Sequence, residues 1–105
     1  MPVINLLKET DEFLERNGIK WCDVNFVASR GKRFSPEQFK QYAKKIKYYN
    51  GYGLPEIVED LMLVGKKFAI IRLQYDGAEW WHLVNLDPNC LQYVTEIEKG
   101  DLLAD

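Results

Sequence analysis

The sequence has few of the residues from which metal sites, disulfide frameworks and catalytic centres are built. It contains two cysteines and one histidine in 105 residues. Cys22 and Cys90 lie far apart, without the CxxC or Cys/His spacing of a metal site. A disulfide between them is the alternative to two reduced thiols, and reduced thiols are the expectation for a cytoplasmic chain. We therefore expect no metal and no cofactor.

Apolar runs are short as well. None is longer than Phe68–Ile71, which spans four residues, whereas a membrane helix needs about 20. The first residues also lack the charged-then-apolar pattern of a signal peptide. With 47% hydrophobic and 29% charged residues, the composition is that of a globular protein. These features predict one cytoplasmic domain, residues 1–105, without membrane contact.

Catalytic motifs are equally scarce. His82 is the single histidine, and no serine or cysteine motif accompanies it as a nucleophile. The glycine-rich residues 50–53 lack the lysine of a P-loop. Asp76 and Glu79 flank a turn, and turn chemistry accounts for the Asp-Gly pair. The sequence favours a packed core histidine and a protein that is not an enzyme.

Charge, by contrast, is concentrated in residues 28–53. This segment holds seven of the fourteen basic residues and one acid, Glu37, for a local charge of +6. The same segment contains six of the fourteen aromatic residues. Residues 1–27 sum to −2 and residues 54–105 to −6, which restores the net charge of −2. Such polarity favours a partner with a negative surface.

The amino-terminal half predicts two helices and a strand. Apolar spacing and the stop signal Asn17-Gly18 predict a helix over 3–17. Alternating residues predict a strand over 19–28, with Cys22, Val24 and Phe26 on one face. Ser35 and Pro36 begin a second helix, which the sequence extends to about Tyr49.

The remainder predicts strands. Asp60–Gly65 fits a strand or a helical turn, and we favour the strand. Asp76-Gly77 predicts a tight hairpin between residues 68–75 and 79–86. Its register pairs Leu73 with Trp80 and Arg72 with Trp81, and the sequence favours Trp80 for the core and Trp81 for the wetter face. Residues 91–97 alternate as a last strand.

Together these elements predict the α+β class. We expect a mostly antiparallel sheet with a carboxyl-terminal β-meander through residues 61–98. Two helices are expected to pack on one face of it.

The predicted partner-binding surface combines the basic segment with an aromatic anchor. On a helix continuing to Tyr49, three lysines would form one stripe at i, i+4 and i+7. The Arg72–Trp81 pair would form a stacked anchor on the open sheet face. The alternative for the basic helix is that its lysines form the ordinary solvent-exposed face of an amphipathic helix and contact no partner. The predicted contact residues are Arg30, Lys32, Arg33, Lys40, Lys44, Lys47, Tyr48, Arg72 and Trp81.

Part of the chain resembles a segment of small uncharacterised phage and prophage proteins. The shared pattern is a strand ending in Val-Gly followed by a Tyr-Asp-Gly, Glu-Trp-Trp hairpin. The matching residues are Asp60, Leu61, Val64, Gly65, Tyr75, Asp76, Gly77, Glu79, Trp80 and Trp81. The resemblance covers under a third of the chain, and it implies an origin on a mobile element rather than an activity.

Two functions follow as hypotheses. The first is a small non-catalytic binding protein of phage type that occupies a partner protein's surface, with inhibition of a host defence nuclease of the anti-CRISPR or anti-restriction type as one case. The second is a nucleic-acid-binding module that uses residues 30–52, where lysines would contact phosphates and tyrosines would stack on bases.

Overall fold

Two antiparallel sheets and two α-helices make up most of the described part of the chain. The structure is a computed structural model, and it describes residues 3–49, 56–87 and 95–103. The helices are α1 (Leu6–Arg16) and α2 (Pro36–Ala43), and two 3₁₀ turns span Trp21–Asp23 and Lys99–Asp101. The strands are β1 (Val3–Asn5), β2 (Val24–Ser29), β3 (Lys32–Phe34), β4 (Lys47–Tyr49), β5 (Met62–Gly65), β6 (Phe68–Tyr75) and β7 (Ala78–Asn85).

The predicted α+β class is confirmed. The main sheet has the order β3-β2-β5-β6-β7, and all of its pairings are antiparallel. β1 and β4 form a separate two-stranded sheet. Both helices contribute buried side chains to the core that also contains Val27, Leu63 and Ile70 of the main sheet. The helices therefore cover one face of that sheet.

α1 begins three residues later than predicted. The side chain of Asn5 accepts the backbone N–H of Lys8 at 3.0 Å, which makes Asn5 the N-cap. Residues before an N-cap are extended, and Val3 accordingly pairs with Tyr49. The predicted end is confirmed, because Gly18 takes a φ of +67° just after the helix.

α2 begins as predicted and ends earlier. Ser35 and Gln38 exchange side-chain to backbone hydrogen bonds at 3.1 and 2.9 Å, which forms a capping box. The helix ends at Ala43, so the prediction that it runs to about Tyr49 is wrong. The following residues are drawn into β4, since pairing with β1 buries the Tyr48 ring in the core. Tertiary burial here outweighs helix propensity.

A bulge in β2 breaks the predicted alternation. The pairing of β2 with β5 shifts between Val24 and Phe26. As a result Val24 and Val27 both point into the core, whereas Phe26 lies half-buried and Cys22 is exposed in the preceding 3₁₀ turn. The extra residue of a bulge changes the face on which later side chains lie.

The β6–β7 hairpin has the predicted register. Arg72 pairs with Trp81, and Leu73 pairs with Trp80. Asp76 and Gly77 have φ values of +50° and +87°, as expected for a two-residue primed turn.

The faces of that hairpin are reversed relative to the prediction. Trp81 is 3% exposed and lies in the core, whereas Trp80 is 40% exposed. His82, predicted in the core beside Trp80, is exposed for the same reason. A turn determines which residues pair, but the position of the helices determines which face they cover. The assignments of Trp80, Trp81 and His82 to their faces are therefore wrong.

The meander is confirmed for β5, β6 and β7, which follow one another in the sheet. The predicted strand over Asp60–Gly65 corresponds to β5. Of the predicted last strand, residues 91–94 lie outside the described part, and the described residues 95–97 are not in a strand. No helix in the described part of the chain is long and apolar enough to cross a membrane.

Candidate functional site

Three of the predicted contact residues lie in the core rather than on the surface. Arg72 is 7% exposed, and Tyr48 and Trp81 are also buried. Their prediction as a partner-binding surface is wrong for a common reason: all three side chains are hydrogen-bonded to α1 inside the fold.

The buried Arg72 guanidinium is surrounded by acceptors. Nη2 donates to Glu79 Oε1 at 3.0 Å and to the Tyr48 hydroxyl at 3.1 Å. Nη1 donates to both carboxylate oxygens of Glu9 at 3.3 Å. The guanidinium also stacks over the Trp81 ring, 4.6 Å from its centroid. Two carboxylates thus accompany one arginine inside the core.

The network joins distant parts of the chain. The indole of Trp81 donates to Thr10 Oγ1 at 3.0 Å, and that hydroxyl donates to the carbonyl of Leu6. The Glu79 carboxylate accepts the backbone N–H groups of Glu56 and Ile57 at 2.8 and 3.3 Å. Elements α1, β4, β6 and β7 and residues 56–57 are therefore held together by one buried set of polar contacts, which is a structural role.

Tyr48 supplies a test of this network. Burial, and then donation of its hydroxyl to Glu9 at 2.7 Å, raise the pKa of Tyr48 well above its ordinary value of about 10. The ordinary value applies in the unfolded chain, so the stabilisation is fully present below about pH 10. Above that pH the unfolded chain loses its proton first, and the free energy of unfolding falls as pH rises.

We expect the Tyr48→Phe variant to lose less stability than the wild-type protein between about pH 10 and pH 12, by up to about 1.4 kcal/mol per pH unit. Urea denaturation at several pH values measures this difference. Tyr75→Phe is the matched control, because Tyr75 is exposed. Parallel pH profiles for wild type and Tyr48→Phe would contradict the buried hydrogen bond.

A groove lies on the helix side of the molecule, between α2, the β2–β3 turn and residues 56–61. It is open to solvent and has a volume of about 910 Å³, which is within the range of binding sites. Its floor is formed by buried apolar side chains: Leu6, Phe39, Ala43, Ile57 and Leu61. Its walls include three exposed apolar side chains: Tyr42, Ile46 and Val58. Apolar side chains around a concave surface are typical of ligand and partner sites, which makes the groove the candidate site.

Two of the predicted contact residues, Arg30 and Lys32, line this groove. They belong to a β2–β3 hairpin whose turn, Arg30-Gly31, has φ values of +54° and +76°. The backbone N–H of Arg30 donates to the Asp60 carboxylate at 3.0 Å, which holds the turn against the segment of residues 56–61. Among the described residues of the lining, Glu56 carries a carboxylate, and it accepts the backbone N–H of Tyr49.

Arg33 lies on the other face of the sheet. Successive side chains of a strand point in opposite directions, so Lys32 and Phe34 face the helices while Arg33 faces outward. Its guanidinium lies 4.4 Å from the centre of the Phe26 ring. The predicted cluster of three cations in this turn is therefore divided between two surfaces.

The predicted lysine stripe does not form, because α2 ends before Lys47. Lys40 contacts Glu37 at 3.2 Å and lies over the Trp21 ring, 5.0 Å from its centroid. Lys44 is the exposed C-cap of α2, and Lys47 is exposed in β4 opposite Asn5. None of these three lysines is among the residues that line the groove.

The groove itself was not predicted. Its walls come from segments far apart in sequence, so periodicity within one segment does not reveal it. One local signal was present: Arg30-Gly31 between β-forming residues is compatible with a primed turn. That signal would have identified β3 and separated Arg33 from Lys32.

Comparisons with protein-family models, with curated proteins and with solved structures find no match for this chain. In the described part of the chain, no three side chains of the metal-binding types lie close enough together to hold an ion. The groove is thus the candidate site on the strength of its own geometry.

Proposed function

We propose that this protein is a non-catalytic binding protein whose groove accepts an acidic, amphipathic segment of a partner protein. The observation that carries the proposal is the combination of exposed apolar walls with two cations in the lining, Arg30 and Lys32. Apolar side chains of the partner would cover the walls, and a carboxylate would contact the cations. Apolar burial supplies most of the affinity of such a contact, and the charges supply orientation.

A small protein can act by covering part of a partner's surface, because this requires a complementary surface rather than a catalytic centre. The hypothesis of a phage-type inhibitor of a host defence nuclease is one case of this proposal. Its support is the charge polarity of the chain and the resemblance of residues 54–84 to segments of phage and prophage proteins. In that case the covered surface would be an acidic, apolar patch of the nuclease.

Selection from a displayed library of random peptides on the immobilised protein tests the proposal. We expect enriched peptides to combine apolar residues with Asp or Glu. Arg30→Glu with Lys32→Glu should weaken the binding of such a peptide roughly tenfold or more, because attraction becomes repulsion. Tyr42→Ala should weaken it by about 2 kcal/mol, as loss of an aromatic anchor does.

The matched control is Lys44→Glu with Lys47→Glu. It changes the net charge by the same amount, but both lysines lie outside the groove lining. We expect it to leave peptide affinity within about twofold of wild type. Equal losses in both double variants would mean that net charge, not the groove, governs binding, and would contradict the proposal.

Nucleic-acid binding remains the second candidate function. The observation that favours it is that Tyr42 and Tyr49 are exposed and that the exposed Lys44 and Lys47 lie between them in the sequence. Exposed tyrosines stack on bases, and lysines contact phosphates. Fluorescent single- and double-stranded oligonucleotides at low salt distinguish the candidates. Tight, salt-sensitive binding that is lost in Lys44→Glu with Lys47→Glu would favour this function.

A further inference from the structure

The described carboxyl-terminal residues 95–103 form a small acidic unit with exposed apolar side chains. Ile97, Leu102 and Leu103 are 71%, 79% and 56% exposed. Residues 95–103 include three acids, Glu96, Glu98 and Asp101, against one lysine. We name residues 95–103 the tail.

The tail is held in a defined shape. The backbone N–H of Glu98 donates to the Asp101 carboxylate at 2.9 Å, and the N–H of Leu103 donates to the carbonyl of Lys99 at 3.0 Å. These bonds close one turn that places Leu102 and Leu103 side by side at its end. A segment that is already ordered loses less conformational entropy on binding.

The tail and the groove are complementary. The groove has exposed apolar walls and two cations, and the tail has exposed apolar side chains and an excess of carboxylates. No residue of 95–103 lines the groove of its own chain. The exposed apolar side chains of the tail are therefore not seated in the groove of the same molecule.

We propose that the tail of one copy of this protein docks in the groove of a second copy. Reciprocal docking of the two tails closes the assembly as a two-fold dimer, because both contacts are then identical. Leu102 and Leu103 enter between the apolar walls, and Glu96 and Glu98 face Arg30 and Lys32. This inference rests on the same groove as the function proposed above. In the dimer the tail would occupy the groove, so other partners could not bind there.

Sedimentation velocity of the full-length protein, with no other protein present, tests this inference over a roughly hundredfold range of concentration. We expect the mean mass to rise from one chain toward two as concentration increases. Leu102→Ser with Leu103→Ser should abolish the rise. This variant alters only exposed side chains, so it is expected to remain folded.

Charge exchange makes the test specific. Arg30→Glu with Lys32→Glu reverses the groove, and Glu96→Lys with Glu98→Lys reverses the tail. Each variant alone should dimerise at least about tenfold more weakly than wild type, because like charges face each other. An equimolar mixture of the two variants should associate again. In a mixed dimer the basic tail of one variant meets the acidic groove of the other, and the unchanged acidic tail meets the unchanged basic groove.

Lys8→Glu with Lys66→Glu is the matched control, because both lysines are exposed and neither lines the groove. We expect it to dimerise like wild type. A wild-type protein that stays monomeric throughout, or a dimer that survives both the leucine and the groove variants, would overturn the inference. Amide hydrogen exchange of the tail that is equally slow at every protein concentration would show that the tail docks within its own chain. That result would overturn the inference too.

The outcome separates this inference from the proposed function. A monomeric protein whose groove still binds acidic peptides overturns self-association alone. Failure of the Leu102→Ser, Leu103→Ser variant, whose groove is free of the tail, to enrich any displayed peptide overturns the external partner alone if the wild-type protein dimerises through the tail. Circular dichroism of each variant establishes that the comparison is made between folded proteins.

Discussion

Replacing Arg72 with methionine is expected to destabilise the protein by about 3–5 kcal/mol. The substitution preserves much of the side chain's length and apolar stem but removes the charge that lies between Glu9 and Glu79. Those carboxylates would then share a largely buried space without their common cation. Loss of one member of a buried ion network costs far more than loss of an exposed pair, because the remaining charges are poorly solvated.

Urea denaturation measures this effect as a lower midpoint at an unchanged dependence on denaturant. Arg30→Met is the matched control, because Arg30 is exposed. We expect the control to change the free energy of unfolding by less than about 0.5 kcal/mol. A loss below about 1 kcal/mol in Arg72→Met would mean that the network is open to water, contrary to its burial.

A compensated variant separates lost charge from lost packing. Arg72→Met combined with Glu9→Gln and Glu79→Gln removes the cation and both anions together. The backbone N–H groups of residues 56 and 57 bond to different oxygens of Glu79, and the single amide oxygen of a glutamine at position 79 can still accept one of them. We expect the triple variant to be more stable than Arg72→Met alone, since no uncompensated charge remains in the core.

The sequence predicted the features that depend on neighbouring residues. The capping box at Ser35 and Gln38, the stop at Gly18 and the primed turn at Asp76-Gly77 each depend on a few adjacent residues, and each was confirmed. The pairing of Arg72 with Trp81 follows directly from that turn. Caps and tight turns can be predicted from a sequence because the residues that form them are only a few positions apart.

The failures share another cause. Lys47 and Tyr48 have a spacing compatible with a helix, yet contact with β1, some forty residues earlier, makes them a strand. Both faces of the β6–β7 hairpin contain large apolar side chains, so alternation alone could not identify the face that the helices cover. The bulge after Val24 is likewise set by pairing with β5. Each error lies where a long-range contact decides between locally acceptable structures.

The prediction for the candidate site failed in the same way. Arginine and tryptophan are typical interface anchors, but Arg72 and Trp81 are paired with partners in α1 that a sequence pattern does not reveal. The lysines were treated as one stripe on one element, although they belong to a helix end and a strand. The groove required the assembled fold, because its floor and walls come from separate segments.

Trp81→Ala is expected to cost about 3–5 kcal/mol of stability, and Trp80→Ala less than about 1 kcal/mol. The Trp81 indole is buried against the Arg72 guanidinium and donates to Thr10. Its removal leaves a cavity and deprives both groups of a partner. Trp80 is the matched control, since it is the same residue type one position earlier on the open face.

The comparison of the two variants decides which face of the hairpin is the core. Chemical denaturation should order them with Trp81→Ala much the less stable, because only that substitution opens a void beneath the helices. Trp81→Phe should recover part of the loss, since a second aromatic ring fills the space but cannot donate to Thr10. If Trp80→Ala were the more destabilising, the helices would have to lie on the opposite face of the sheet. The buried network around Arg72 would then be exposed to solvent.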